Sequence, residues 1–184
     1  MQMVTGVAAS LDRTLLASMG RYRHRVFVER LGWQLRCENE LEFDQFDRDD
    51  TVYVVALDDD EDIVGTARLL PTTQPYLIAS VFPELLGGLE PPRSPHVWEL
   101  SRFAALDLQG TPGAGSGQFS SPIGRALLRA CMARARAHGA QTLISASPLG
   151  VERLLRNAGI ASQRLAGPVP VDGRPLVACR IPLD

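Results

Sequence analysis

The sequence predicts one α/β domain, a central mixed sheet with helices on both faces. Three observations lead there. The chain has 184 residues, 45% of them hydrophobic, enough for one well-cored domain and short for two. Strand-like and helix-like segments alternate along it without an internal repeat. No stretch reaches the roughly 18 apolar residues of a membrane span, and the start MQMVTGVAASLDRT lacks a basic flank followed by an apolar run and a cleavage site. A cytoplasmic protein without membrane insertion is expected.

The elements follow in order. Residues 10 to 31 carry a helical pattern with an arginine-rich face (Arg21, Arg23, Arg25, Arg30) and stop near Gly32. TVYVVAL and IVGTARLL read as two strands, with the acidic DDDED as the hairpin turn between them and a solvated loop tip as its plain meaning. YLIASVFPELLGG is a short helix broken by Pro83, and VWELSRFAAL a central strand. The loop GTPGAGSG, residues 110 to 117, has glycines at alternate positions and Gln118 where a dinucleotide fingerprint needs its last glycine, so no nucleotide site is read there. SPIGRALLRACMARARAHG is the clearest helix. It has Ser121 as N-cap, Pro122 in the first turn, a stripe of Ile123, Ala126, Leu127, Ala130 and Cys131, and Gly139 as terminator. QTLISAS is then a strand, GVERLLRNAG a helix and LVACRIPL a closing strand.

Charge is unevenly spread. A net charge of −2 hides an acidic front, with twelve of the 21 acids between residues 38 and 62 against Arg48 alone, and a basic back, with nine arginines after residue 119. All 19 basic residues are arginine, so the chain forms no lysine Schiff base and carries no P-loop lysine. Cys37, Cys131 and Cys179 are odd in number and widely spaced, which fits buried thiols better than disulfides or zinc. A calcium loop starting at Asp47 would put Val52 where glycine is needed and Asp58 where the bidentate glutamate belongs. His24, His96 and His138 never fall at metal spacing, and there is no Gly-x-Ser-x-Gly elbow, so no metal and no serine hydrolase are read. The arginines of helix 122 to 138 have no interleaved aromatics, which argues against nucleic acid.

Charge set into apolar strands is the unusual feature. Glu99, Ser101 and Phe103 fall on one face of VWELSRFAAL and Arg102 on the other, while Arg68 interrupts the buried run IVGTARLL. Desolvated charges need partners, and Asp44 and Asp47 are natural ones for Arg68 and Arg102 because a guanidinium binds a carboxylate bidentately. Glu42, Asp49 and Asp50 are read as solvated neighbours. A buried ion-pair network that merely fixes the fold competes here with a catalytic reading.

The segments YRHRVFVERLGW, FDQFDRDDTVYVVAL, IVGTARLLPT and VWELSRFAAL resemble, in order and spacing, the signature blocks of the acyl-homoserine lactone synthases, the bacterial autoinducer synthases. Those blocks cover most of residues 20 to 106, and the family's characteristic positions fall on Arg23, Phe27, Trp33, Asp44, Asp47, Arg68, Glu99 and Arg102. The resemblance implies a GNAT-like α-β-α sandwich with a mainly antiparallel sheet, a single domain over 1–184 whose N-terminal helical cap, about 1–50, contributes to an S-adenosylmethionine site. It implies transfer of an acyl chain from acyl carrier protein to the amine of S-adenosylmethionine, lactone closure and release of 5′-methylthioadenosine. S-adenosylmethionine is then a substrate and no cofactor is expected. The acetyltransferase pantetheine signature survives only as SPIGRA, with Ser121 in its first place, which speaks against ordinary acetyl-CoA use.

Within that resemblance, Glu99 is the candidate base, acting through a water, with pairing to Arg102 as its competing role. Ser101 and Arg102 complete the catalytic strand, where a bulge would free backbone N–H groups for the oxyanion. Arg23, Phe27, Trp33, Asp44, Asp47, Arg68 and Phe103 are candidate substrate-binding residues, with core packing as the simpler reading of the aromatics. Arg125, Arg129, Arg134 and Arg136 are candidates for docking an acidic carrier protein, a solvated helix face being the alternative. Ser145 lies on the face of LISAS shared with Leu143 and Ser147, where the family's acyl tunnel is expected, with Leu149, Leu154 and Leu155 as further lining. The Ser145 hydroxyl is able to donate to a 3-oxo group yet small enough to leave a straight chain undisturbed, so both acyl types stay open, with an unsubstituted chain of medium length as the favoured one. An acyl-CoA-dependent N-acyltransferase acting on another amine and a non-catalytic ligand-binding relative are the alternatives.

Overall fold

A computed structural model describes residues 1–108 and 122–183, with only the backbone of Leu154. The loop 110 to 117 and the expected cap Ser121 lie outside the described residues. Eight strands form one mixed sheet in the order β1-β2-β3-β4-β5-β8-β6, with β7 paired on β8. They are β1 (Gln2–Val7), β2 (Val52–Leu57), β3 (Ile63–Pro71), β4 (Val97–Ala105), β5 (Thr142–Pro148), β6 (Gln163–Arg164), β7 (Val169–Val171) and β8 (Arg174–Pro182). β4 runs parallel to β5, while β1–β2, β5–β8, β6–β8 and β7–β8 are antiparallel. The backbone gathers into two compact units, residues 1–68 with 102–127 and residues 69–101 with 128–184.

The first unit opens with β1, a strand where a helical cap is expected, paired along its whole length with β2. Asp12 then caps α1 (Arg13–Arg23), accepting from the Thr14 and Leu15 N–H groups at 2.7 and 3.3 Å. The predicted single helix is in fact two. After Arg23 the turns widen into a π-helix over His24–Arg30, which ends at Gly32 in the left-handed region at φ 67°. Arg21, Arg25 and Arg30 are exposed, but Arg23, expected on the same face, is fully buried: two residues from Arg21 or Arg25 is about half a turn of α-helix. The core of this unit places Met19 against Tyr53 and Val55, and Tyr22, Val26 and Phe27 against Ala104. Each such side chain withdrawn from water contributes about 1.5–3 kcal/mol. Tyr22 fixes the far end of β4, its hydroxyl donating to the Leu106 carbonyl and accepting from the Leu106 N–H, both at 2.9 Å.

DDDED is the hairpin turn that its composition suggests. The Asp58 carboxylate accepts from the Asp60 and Asp62 N–H groups, and Glu61 takes φ 64°.

In the second unit, α2 (Leu77–Val81) precedes a 3-10 turn that opens at Pro83, the break expected there. The helix α3 (Pro122–Ala137) ends at Gly139 at φ 83°. Its buried edge is Gly124, Leu127, Leu128, Cys131 and Ala135; Ile123, Ala126 and Ala130 of the expected stripe are half-buried, so the helix is turned slightly from the predicted face. The amphipathic α4 (Gly150–Asn157) follows β5 and buries Leu155. No helix among the described residues is long and apolar enough to cross a membrane.

Candidate active site

The two largest fully buried side chains among the described residues are Arg23 and Arg68. Leaving a guanidinium out of water without partners is prohibitive, so the surrounding chain has to supply carboxylates. It does so from the irregular segment between the π-helix and β2. Arg23 Nε donates to Glu42 Oε2 at 2.6 Å, while its Nη1 and Nη2 grip both oxygens of Asp47 at 2.8 and 2.9 Å. Arg68 Nη1 donates to Asp44 Oδ1 at 2.6 Å and lies 3.1 Å from Asp47 Oδ2. Arg102 Nη2 reaches Asp44 Oδ2 at 2.7 Å and Glu42 Oε1 at 3.0 Å, and its Nε lies 3.1 Å from each Glu42 oxygen.

These contacts close on themselves. From Arg23 the path runs through Glu42, Arg102, Asp44, Arg68 and Asp47 back to Arg23, a six-membered ring of alternating charge. Each guanidinium also lies over a phenylalanine: Arg23 over Phe43 at 5.3 Å, Arg68 over Phe46 at 5.6 Å and Arg102 over Phe27 at 5.7 Å. Local hydrogen bonds preset the acids. Asp47 Oδ2 accepts the Asp44 N–H at 2.7 Å, Asp44 Oδ1 accepts the Phe46 N–H at 2.8 Å, and the Tyr53 hydroxyl donates to Asp47 Oδ1 at 2.6 Å.

Electrostatics follow the geometry. Burial by itself would raise the Asp47 carboxyl, but Arg23 and Arg68 outweigh it and hold the group far below the usual carboxylate range. Glu42 is likewise pushed up by burial and brought below its ordinary value by Arg23 and Arg102. Burial and the neighbouring Asp47 drive the Tyr53 phenol upward, so it stays a donor.

The ring unites Asp44, Asp47, Arg68 and Arg102 as the embedded charges suggest, and adds two residues that reading did not include: Arg23, expected on the arginine-rich helix face, and Glu42, read as solvated but 1% exposed and bridging two arginines. Arg102 is set by its backbone as well. It sits inside β4 at φ 49°, a left-handed residue that breaks the simple alternation expected of Glu99, Ser101 and Phe103 against Arg102. Ser101 is buried and Phe103 half-buried. Phe27 stacks on Trp33 with centroids 4.9 Å apart and planes 24° from parallel, and the half-buried Trp33 carries this stack outward.

The remaining candidates belong to the second unit and to α3. Glu99 is fully buried, and its carboxylate accepts the Leu77 N–H at 3.0 Å and the Ile78 N–H at 2.7 Å, capping the start of α2. Ser145 is buried on β5, its hydroxyl 2.8 Å from that of Ser147, one of the two donating to the other. On α3, Arg129 and Arg136 are exposed and Arg125 and Arg134 half-buried, and Arg136 Nε donates to the Leu183 carbonyl at 2.7 Å.

In sequence and in fold the chain is similar to known proteins. A family profile described as autoinducer synthase matches residues 8–184. An acyl-homoserine-lactone synthase of Acinetobacter nosocomialis is 49% identical over 181 residues, covering 98% of this chain and 99% of that protein. TofI, solved in a ternary complex with an inhibitor and MTA, superposes with a TM-score of 0.87 at 46% identity, over 100% of this chain and 92% of TofI. BjaI, a CoA-dependent acyl-homoserine lactone synthase solved with SAM and isopentyl-CoA, gives 0.84 at 27% identity, over 99% of this chain and 82% of its own. The fold, and the fold alone, extends to a Lactobacillus plantarum protein whose structure is described as that of a candidate N-acetyltransferase, with a TM-score of 0.64 at 23% identity over 100% of this chain and 98% of that one, consistent with the GNAT-like architecture. The chain belongs to the autoinducer synthase family and is an acyltransferase of the acyl-homoserine-lactone synthase type.

Proposed function

We propose that the chain acylates the α-amine of S-adenosylmethionine from acyl carrier protein, then closes the lactone and releases 5′-methylthioadenosine, giving an N-acyl-L-homoserine lactone signal. The observation that carries this reading is the closed ring with the Phe27–Trp33 stack over Arg102. The half-buried Trp33 offers an aromatic face, which suits a cationic sulfonium and its adenine, and the part-exposed Asp44, held by Arg68 and Arg102, borders it on the ring's side. Arg23 has all three guanidinium nitrogens on Glu42 and Asp47, so its part is to hold the ring rather than to grip substrate. That MTA and SAM are named with TofI and BjaI supports the same assignment.

Acylation needs the amine deprotonated, and Glu99 is the base, working through a water. Lactone closure asks less, since the sulfonium is a good neutral leaving group and positioning supplies much of the acceleration. The carrier protein meets the exposed Arg129 and Arg136. We read the acyl chain as unsubstituted, in keeping with a Ser145 hydroxyl already hydrogen-bonded to that of Ser147.

The CoA dependence of BjaI favours a second reading, in which an acyl-CoA is the donor. One experiment separates the two. Purified chain is given S-adenosylmethionine with octanoyl carrier protein or octanoyl-CoA, and lactone and methylthioadenosine are quantified by mass spectrometry. Faster turnover with the carrier protein is expected; turnover with octanoyl-CoA alone overturns the donor assignment. Glu99→Gln, which cannot accept the proton, should lower acylation by roughly 10²-fold in a folded protein.

A further inference from the structure

The ring member Arg23 stands on the last turn of α1, and that turn contains a glycine. Helix propensity favours alanine over glycine in a helix interior, so Gly20, buried near the end of α1, is a local cost that something must offset. The reason lies in what packs there. A Cβ at position 20 would stand 2.6 Å from Phe43 Cε2, 3.0 Å from Phe43 Cζ and 3.3 Å from Leu41 Cδ2. The acidic segment thus lies directly on the helix backbone. It is also bonded to it: the Glu42 N–H donates to the Gly20 carbonyl at 3.1 Å, a carbonyl that His24 N–H shares where the helix begins to widen. From that anchored backbone the Glu42 side chain reaches Arg23, one turn along the same helix face, and Arg102. The Phe43 ring that fills the space over Gly20 is the one that lies over the Arg23 guanidinium.

We infer that Gly20 is a positioning residue: its missing side chain seats segment 41–43 on α1 and thereby sets where Glu42 stands between Arg23 and Arg102. It touches no reacting atom and acts through Glu42. A methyl group at position 20 pushes Phe43 off Arg23 and lifts Glu42, so the ring loses its register while the helix itself is favoured. The inference rests on S-adenosylmethionine being bound beside this ring.

The test compares wild type, Gly20→Ala and the double variant Gly20→Ala/Phe43→Leu, the leucine removing the two ring atoms that the new methyl meets. Gly167→Ala, a position with nothing within 4 Å, serves as control. Gly20→Ala should raise KM for S-adenosylmethionine about tenfold or more, since a misplacement near 1 Å can cost up to ~10²-fold, with KM for the acyl donor unchanged. The double variant should recover most of the loss. An unchanged KM in Gly20→Ala overturns the inference, as does an equal rise for both substrates or a double variant no better than the single. If Gly20→Ala does not fold, recovery in the double variant supports the seat and its failure to fold refutes it. A wild type that leaves S-adenosylmethionine untouched counts against the proposed function instead; the seat is then judged by whether the double variant restores a urea midpoint that the single variant lowers.

Discussion

Glu42, Asp44 and Asp47 are buried or nearly so, each held by two arginines, whereas Asp59, Asp60 and Glu61, one strand further along, lie exposed at a hairpin tip. Both stretches are dense in acids, so density did not decide their fates. The difference lies in what faces them. The first meets Arg23, Arg68 and Arg102, fixed on a helix and two strands; the second meets its own turn, where Asp58 binds backbone N–H groups, and the amino group of Met1, which contacts Asp59 at 2.6 Å. A carboxylate facing a fixed, desolvated cation becomes part of the structure. One facing water remains a solubilising charge.

Breaking the first stretch should cost most. Asp47→Asn removes the charge that Arg23 and Arg68 share and turns one of its two acceptor oxygens into a donor, and should destabilise the fold by about 3–5 kcal/mol, read from urea denaturation. The same residue dictates the acid limit. Because the folded state holds Asp47 and Glu42 below their unfolded values, the unfolded chain binds protons first as pH falls. Their stabilisation is complete above about pH 4.3 and is lost progressively below it. Wild type should show that decline, and Asp47→Asn a shallower one over the same range.

Glu42→Gln comes next. It keeps the shape but halves the acceptor capacity and removes a charge between two arginines, costing roughly 2–3 kcal/mol, and it frees Arg102, whose φ of 49° needs its surroundings to hold it. A drop in lactone formation should accompany the fall in denaturation midpoint. Asp59→Asn together with Asp60→Asn should do least, leaving both unchanged. A large effect there would remove the contrast between the two stretches.

Much of this was legible in the sequence. An arginine interrupting IVGTARLL has to find an acid, and the alternation of strands and helices gives the sheet. Glu42 was harder, because it lies in an irregular segment where no period distinguishes it from Asp49 or Asp50. Counting would have found it: Arg23, Arg68 and Arg102 need three acids, and Asp44 and Asp47 are two. That count depends on seeing Arg23 as buried, which its half-turn offset from Arg21 and Arg25 indicates but a run of arginines obscures. β1 is hard to read from QMVTGV, because the strand buries Gly6 alone and shows no clear alternation. β6 and β7, with two and three residues, are too short to show a period and exist because β8 offers them an edge.

Closure of the ring also bears on ionic strength. At physiological salt, charges in water lose sight of one another beyond about 8 Å, but screening acts through solvent ions, and five of the six ring members have side chains no more than 5% exposed. Three positive and three negative charges in a closed circuit also leave no net charge to attract counterions. Concentrated salt should therefore leave the ring's contribution to stability intact while weakening the carrier-protein encounter proposed at exposed Arg129 and Arg136, so that halotolerance of the fold would accompany salt sensitivity of that proposed encounter.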